Sequence, residues 1–170
     1  MLMRKLLVLV VVLMASTFQP SFAAEVESGS PEIKIDIPVH LKKGNVVFNM
    51  DHLAFAGDQP VGLKYMSLLK ERFDQEKISG KIIAVFHGEA GYMTLEDDSY
   101  NAYRNVKTGN PYKAQIQALI KNGIQIEECA VSMKSKKWLN KDLIPGVKVN
   151  TGAVVRLLEL NQQGFYEVHP

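Results

Sequence analysis

The chain is predicted to fold as an α/β protein with a mostly parallel sheet and helices on both of its faces. Two observations predict this class. Short apolar runs typical of buried strands, such as residues 81–87, alternate with segments whose apolar residues recur at helical spacing, such as residues 110–122. Alternation of this kind favours right-handed β-α-β crossovers, which place consecutive strands parallel to one another.

The N-terminus has the pattern of a secretory signal peptide. Arg4 and Lys5 precede the apolar run Leu6 to Met14, and Ser21 and Ala23 occupy the −3 and −1 positions of a signal-peptidase site. The apolar run is shorter than the roughly 20 residues that a membrane-spanning helix needs. The predicted organisation is therefore a signal peptide at 1–23, a leader segment at 24–43 and one domain at 44–170, in a protein that is periplasmic or secreted.

The charge balance indicates neither a nucleic-acid partner nor a membrane partner after signal cleavage. The chain has 20 Lys and Arg against 18 Asp and Glu, and removal of Arg4 and Lys5 leaves 18 of each. There is no basic stripe with interleaved aromatic residues of the kind that binds nucleic acid. The three lysines at 134, 136 and 137 are interpreted as one solvated helix face.

The first half of the domain is predicted as strand, helix, strand. Residues 33–37 alternate isoleucine with charged residues and suggest a short edge strand, and residues 46–48 a first core strand. Asp58 and Pro60 indicate the start of a helix. Its predicted buried face consists of Val61, Tyr65, Leu68 and Leu69. The run at 81–87 is a strand covered on both faces.

A polar connection at 88–109 follows, with a short helix predicted to begin at Thr94, where Asp97 has the spacing of a capping box. Asn110 and Pro111 start the next helix, and Gly123 ends it. The predicted buried stripe of that helix is Tyr112, Ile116, Leu119 and Ile120.

In the last part of the chain, predicted strands and helices alternate again. The predicted elements are a strand at 124–128, a helix at 131–139, a turn at Pro145-Gly146, a strand at 147–149, a helix at 151–162 and a strand at 165–168. Val154, Leu157 and Leu158 are the predicted inward residues of the last helix.

Cys129 is the single cysteine of a chain predicted to enter an oxidising compartment, and it directly follows a predicted strand. It is therefore buried and inert, paired between chains, or a reactive thiol. The strand-to-helix junction supports the third reading, because the amides at a helix N-terminus favour a thiolate. The burial tendency of free cysteine supports the first.

His87 ends the preceding predicted strand. Ligands of open parallel sheets gather at the carboxyl ends of the strands, so His87 and Cys129 are expected at one edge of the sheet. His87 is a candidate either to hydrogen-bond a thiolate or to orient a loop.

The sequence lacks the motifs of other common binding and catalytic sites. The nucleotide-binding glycine motifs, the C-x-x-C pair and the G-x-S-x-G elbow are all absent. The four histidines, at 40, 52, 87 and 169, show no ligand spacing. The sequence therefore predicts neither a metal site nor a cofactor.

Several segments together resemble the DsrE/DsrF-like sulfur-relay family. They are K-I-I-A-V-F-H-G at 81–88, N-P-Y-x-x-x-I-x-x-L at 110–119, G-I-x-I-x-x-C-A at 123–130, L-I-P-G-V-K-V at 143–149 and G-F-Y at 164–166. The resemblance rests on their order and spacing and covers roughly residues 44–170. It implies a three-layer α/β/α sandwich with a five-stranded sheet, and assembly into trimers or hexamers.

The resemblance also implies a chemistry for Cys129. In family members with an active cysteine, that residue follows a central strand, accepts sulfane sulfur as a persulfide and passes it to a partner protein. The implied function is that of a sulfur carrier or transferase, whereas turnover is left open by the sequence. Predicted export argues against the family's role in tRNA thiolation, because neither the tRNA nor the partner proteins would be present. A non-catalytic binding or assembly module with a structural cysteine remains the alternative.

Overall fold

A computed structural model describes residues 33–170 of the chain. Within them, Val39–Pro170 form one compact unit that contains every helix and strand. The predicted signal peptide, and the predicted leader as far as residue 32, lie outside the described residues. No helix of the described part is long and apolar enough to cross a membrane.

Five strands form one sheet in which every adjacent pair is parallel. In chain order these strands are β1 (Val46–Met50), β4 (Ile82–Phe86), β5 (Gln125–Cys129), β6 (Lys148–Asn150) and β7 (Tyr166–Val168). Their order across the sheet is β6-β5-β4-β1-β7. The predicted five-stranded parallel sheet is therefore confirmed.

Five helices connect the strands. They are α1 (Val61–Gln75), α2 (Asp97–Arg104), α3 (Lys113–Lys121), α4 (Ala130–Lys136) and α5 (Ala153–Gln162). Two 3-10 turns, at Ala90–Thr94 and Asn140–Asp142, and a small hairpin of β2 (Phe55–Ala56) and β3 (Gln59–Pro60) are the other elements of residues 33–170.

The helices cover the two faces of the sheet unequally. The larger apolar core joins one face of the sheet to α1, α3 and α4, through residues such as Leu63, Ile116 and Met133. The smaller core joins the other face to α5, through Ala153, Leu157 and Leu160. The arrangement has the three α/β/α layers that the resemblance implied.

Alternation along the strands assigns each side chain to one core. Phe48 and Ala84 face the larger core, whereas their neighbours Val47 and Val85 face the smaller one. Every residue of β4 is buried, as predicted for a strand covered on both faces.

Three predictions in the first half of the described residues were wrong. Residues 33–37 form no strand. Asp58 does not cap a helix, because it lies in the turn of the hairpin between β2 and β3, and Pro60 is the N-cap residue of α1. The predicted short helix does not begin at Thr94 but at Asp97, because residues 90–94 form a separate 3-10 turn in which Thr94 is fully buried.

The predicted buried faces of two helices were only partly right. In α1 Leu69 packs against the larger core as predicted, but the buried side chains include Leu63, Met66 and Phe73, and Tyr65 and Leu68 are about half exposed. In α5 Leu157 is buried as predicted, but Val154 and Leu158 are exposed. Each helix is rotated relative to the face that apolar periodicity indicated.

The predicted buried stripe of α3 is confirmed. Ile116 and Leu119 are buried, and Tyr112 and Ile120 pack against the core. The helix ends before Gly123, whose φ of +85° is a left-handed conformation that glycine adopts without strain.

Candidate functional site

Cys129 is the last residue of β5, and α4 begins with the next residue. Its side chain is only 3% exposed and belongs to the smaller core, beside Val85 and Leu157. The sequence predicts Cys129 just beyond the strand, at a strand-to-helix junction on the carboxyl edge of the sheet. The structure confirms the junction, with Cys129 as the last residue of the strand itself.

The thiol interacts with a different helix from the one predicted. The backbone amides at the N-terminus of α4 donate no hydrogen bond to the Cys129 side chain. Instead, the backbone N–H of Ala153, the first residue of α5, donates a hydrogen bond to Cys129 Sγ across 3.3 Å. The physical reason is that the side chain of a strand residue points to one face of the sheet, and the Cys129 side chain points to the face that α5 covers.

His87 lies one residue beyond β4, on the strand next to β5. The last paired residues of these two strands are Phe86 and Glu128, so one further step of the register brings His87 beside Cys129. Neighbouring strands lie about 5 Å apart. The two candidate residues therefore lie at one edge of the sheet, as predicted.

The His87 ring is held by a polar chain and not by the thiol. Its Nε2 lies 2.8 Å from Asn49 Oδ1, and Asn49 Nδ2 donates to Glu167 at 2.8 Å. Burial lowers the pKa of His87 below its usual value of 6.5, although the negative charge of Asp51 acts in the opposite direction. A neutral ring at neutral pH follows from this balance.

The loop after β4 is tied to the elements on either side of it. Gly88 N–H donates to Ser132 Oγ of α4 at 3.1 Å. Gly88 has a φ of +54°, and a Cβ there would lie 2.7 Å from the carbonyl oxygen of Asp51. Glycine is therefore required at this position, and the loop that carries His87 is fixed against both α4 and the end of β1.

Two carboxylates next to Cys129 were not predicted as site residues. Glu127 faces α5, where Arg156 donates three hydrogen bonds of 2.8–3.1 Å to its two oxygens. Burial raises the pKa of Glu127, but the hydrogen bonds from Arg156, Gln125 and Asn150 outweigh it, so the net shift is downward. Glu127 is thus a buried carboxylate with a matching cation.

Glu128 faces the larger core and has no salt-bridge partner among the described residues. It is fully buried; Oε2 accepts a hydrogen bond of 2.9 Å from Thr94, and Oε1 has no partner and abuts Gly91. Burial raises the pKa of Glu128 to about 8, so the carboxyl is largely protonated at neutral pH. The signal in the sequence was the pair of glutamates in a strand covered on both faces, since one of them must then enter each core.

A second cluster that the sequence missed lies at the ends of β1 and β7. Asp51 Oδ1 lies 2.5 Å from His52 Nδ1 and 2.7 Å from His169 Nε2. Burial raises the pKa of Asp51, but the hydrogen bonds from His169 and His52 outweigh it and hold the pKa at about 2. Two histidines that show no ligand spacing along the chain are therefore neighbours in space.

An open groove of about 410 Å³ lies beside the Cys129 junction. Ala130, the residue after the cysteine, and Val149, which pairs with Glu128, are both in its wall. The groove continues along α4, and its remaining lining residues are Met133, Lys134, Lys137, Trp138, Leu139 and Asn140.

The protein is a parallel α/β/α sandwich with a cysteine at the carboxyl end of β5. The model of the DsrE/DsrF-like family matches residues 46–168, which is most of the chain. The chain therefore belongs to the DsrE/DsrF-like family, as the resemblance of its segments indicated.

Two solved structures have the same fold. A protein of unknown function from Methanobacterium thermoautotrophicum, MTH1491, is 17% identical, with a TM-score of 0.58 over 75% of this chain and 99% of its own. The ychN protein from E. coli is 16% identical, with a TM-score of 0.52 over 74% of this chain and 97% of its own. No curated protein matches the chain.

Proposed function

We propose that this protein is an exported sulfur carrier in which Cys129 accepts sulfane sulfur as a persulfide and passes it to a partner protein. The observation that carries the proposal is the hydrogen bond from the Ala153 amide to Cys129 Sγ, in a chain of the DsrE/DsrF-like family. A backbone N–H at the start of a ten-residue helix stabilises negative charge on the sulfur that it contacts.

The transfer consists of two displacements at sulfur. The Cys129 thiolate attacks the sulfane sulfur of a donor such as thiosulfate and forms a new S–S bond. The donor's own S–S bond breaks, and sulfite leaves with the bonding electron pair. A thiolate of the acceptor then attacks the outer sulfur and releases the Cys129 thiolate. The Ala153 amide is placed to stabilise the sulfur anion before the first step and after the second.

His87 is proposed as a supporting residue. It directly follows β4, the strand next to β5, is neutral at neutral pH, and is oriented by Asn49. A neutral imidazole accepts a proton from a thiol, so a rotation of the ring away from Asn49 would let it assist formation of the thiolate.

The proposal includes a location and an assembly. Cleavage of residues 1–23 would place the protein in the periplasm or outside the cell, where a sulfur donor or acceptor protein would be its partner. We also propose a homo-oligomer, a trimer or a hexamer. Apolar side chains left exposed on α4 and α5 support this assembly; they are Val131, Val154, Val155 and Leu158.

The test is sulfur loading of the purified protein. Incubation with thiosulfate or polysulfide, removal of the reagent and intact-mass analysis should show the added mass of one sulfur atom, and dithiothreitol should remove it. The matched variant Cys129→Ser should gain nothing. An unmodified native protein, or an equal adduct on the Ser variant, contradicts the proposal.

A second candidate function has its own observation in its favour. Because the thiol is almost completely buried among apolar side chains, Cys129 also has the environment of a structural cysteine in a non-catalytic binding or assembly module. This candidate predicts that iodoacetamide labels Cys129 only after unfolding. Labelling of the folded protein at a rate comparable with that of the unfolded chain supports the carrier instead.

A further inference from the structure

Three side chains with metal-ligand chemistry converge at the ends of β1 and β7. They are Asp51, His52 and His169, and one ligand atom of each lies within 4.8 Å of the other two. One nitrogen of each imidazole points at the same oxygen, Asp51 Oδ1. The two rings are in edge-to-face contact, with centroids 4.9 Å apart.

The fold brings these residues together from distant parts of the chain. Asp51 follows β1 and His169 follows β7, 118 residues later, and the two strands pair in parallel. Their carboxyl ends therefore meet at one edge of the sheet, and His52 adds the second ring from the residue after Asp51.

The backbone beneath the cluster is fixed. The carbonyl oxygen of Asp51 accepts hydrogen bonds from the N–H groups of Glu89, at 2.9 Å, and Ala90, at 3.4 Å. Next to His169, the ring of Pro170 packs close to Gly62 of α1. A Cβ at Gly62 would lie 3.1 Å from Cγ of Pro170. The cluster is thus held from both sides by hydrogen bonding and packing.

The donor set suits one class of ion. Two imidazoles and one carboxylate are borderline ligands that favour divalent transition metals over calcium or magnesium, which prefer oxygen alone. An imidazole that carries one proton can hold it on either nitrogen, so each ring can present a lone pair on the nitrogen that faces Asp51.

The geometry is close to that of a three-ligand site. Metal–ligand bonds of about 2.0–2.2 Å at tetrahedral angles place ligand atoms roughly 3.4 Å apart. The observed separations differ from this by on the order of 1 Å, an adjustment open to two histidine side chains that are about half exposed and an aspartate that is 36% exposed. The same exposure gives an ion access from solvent and leaves a coordination position open.

We propose that Asp51, His52 and His169 bind one divalent transition-metal ion of the zinc type, with a further coordination position open to water or a substrate group. The site is separate from the Cys129 thiol, which lies two strands away at the end of β5. The proposal therefore does not depend on sulfur transfer by Cys129.

The test is a zinc titration of tag-free protein that has been treated with a chelator and desalted. Calorimetry should show about one zinc ion bound per chain. His52→Gln and His169→Gln should each weaken binding at least about tenfold, because each removes one of three protein ligands. Cobalt should give the absorption bands of a protein-bound ion, and these bands should be lost in the double variant.

Matched variants show whether the zinc binds at this cluster or elsewhere on the protein. His40→Gln changes an exposed histidine outside the cluster and should bind zinc as the native protein does. Thermal melting in the presence of chelator verifies that each variant folds. No binding by the native protein, unchanged binding by the double variant, or loss of binding in Cys129→Ser instead, each overturns the proposal.

Discussion

Glu127 and Glu128 are consecutive residues of β5 with opposite environments, because successive side chains of a strand point to opposite faces of the sheet. Glu127 meets Arg156, whereas Glu128 meets Thr94 and the apolar core. The same residue type therefore has a lowered pKa at one position and a raised pKa at the next.

The raised pKa of Glu128 predicts a stability that falls as the pH rises. The carboxyl has a pKa of about 8 when folded and about 4.5 when unfolded, so between these values the folded state binds more protons. The free energy of unfolding should fall by roughly 1.4 kcal/mol per pH unit across this window, on the order of 5 kcal/mol in all. Glu128→Gln removes the titration, so the variant should melt above the native protein at pH 9 and lose less stability from pH 5 to pH 9.

Glu127→Gln is the matched control, with the opposite sign. Its carboxylate has a lowered pKa and stabilises the folded state above the unfolded pKa, so breaking its pair with Arg156 should cost about 3 kcal/mol at neutral pH. Thermal melting across pH checks both variants. A native protein whose melting temperature is unaffected by Glu128→Gln at pH 9 contradicts the buried-carboxyl account.

At the scale of elements, the start of α5 is the feature that sets the environment of Cys129. The Ala153 N–H is the first amide of the helix, where no backbone carbonyl of the same helix is available to it. The thiol therefore provides the acceptor that this amide lacks.

The substitution Ala153→Pro removes that amide while keeping the helix. Proline is favoured at the first helical position, and Gly152 before it is extended, with ψ of 133°, as a residue before proline requires. We expect sulfur loading of Cys129 to slow at least about tenfold, since loss of a hydrogen bond to a charged group costs roughly 1.5–3 kcal/mol. The measurement is the rate of mass gain with thiosulfate.

Ala153→Ser keeps the amide and is the matched control, which should load sulfur at nearly the native rate. Circular dichroism and melting temperature verify that the Pro variant folds. Native-rate loading by a folded Ala153→Pro protein would exclude a role for the amide.

The elements also show where local pattern stops being informative. The positions, order and type of the core strands and of α1, α3, α4 and α5 were predictable, because strand runs, apolar periodicity and glycine stops depend on neighbouring residues alone. The buried sides of α1 and α5 were not. Both sides of α1 carry large apolar residues, Leu63 and Met66 on one and Tyr65 and Leu68 on the other, and docking on the sheet chooses between them.

At the scale of the whole molecule, the unequal covering of the sheet leaves an apolar surface beside the candidate site. Val131 of α4 and Val155 of α5 both approach Gly152, each with a methyl group 3.6 Å from the position of a Cβ there. With side chains 65% and 59% exposed, they form a continuous apolar patch between two helices. Contiguous exposed apolar surface of this kind is typical of interfaces.

We expect the proposed homo-oligomer to form through this patch. Val155→Glu should then yield monomers, because a buried unpaired carboxylate opposes association. Tyr65→Glu changes an exposed large residue of α1, on the other face of the sheet, and should leave the assembly intact. Light scattering after size exclusion measures both, and a native monomer, or an intact oligomer of the Val155 variant, contradicts the prediction.

The α/β class, the order of the core elements, the family and the place of Cys129 at a strand-to-helix junction could all be predicted from the amino-acid sequence, because they follow from short-range periodicity, turn residues and local segments. Three features emerged only from the folded chain: which amide contacts the thiol, which glutamate is left without a cation, and that Asp51, His52 and His169 meet. The order β6-β5-β4-β1-β7 is the physical reason for the last of these. It brings residues 118 positions apart to one edge of the sheet, and no spacing along the chain records that proximity.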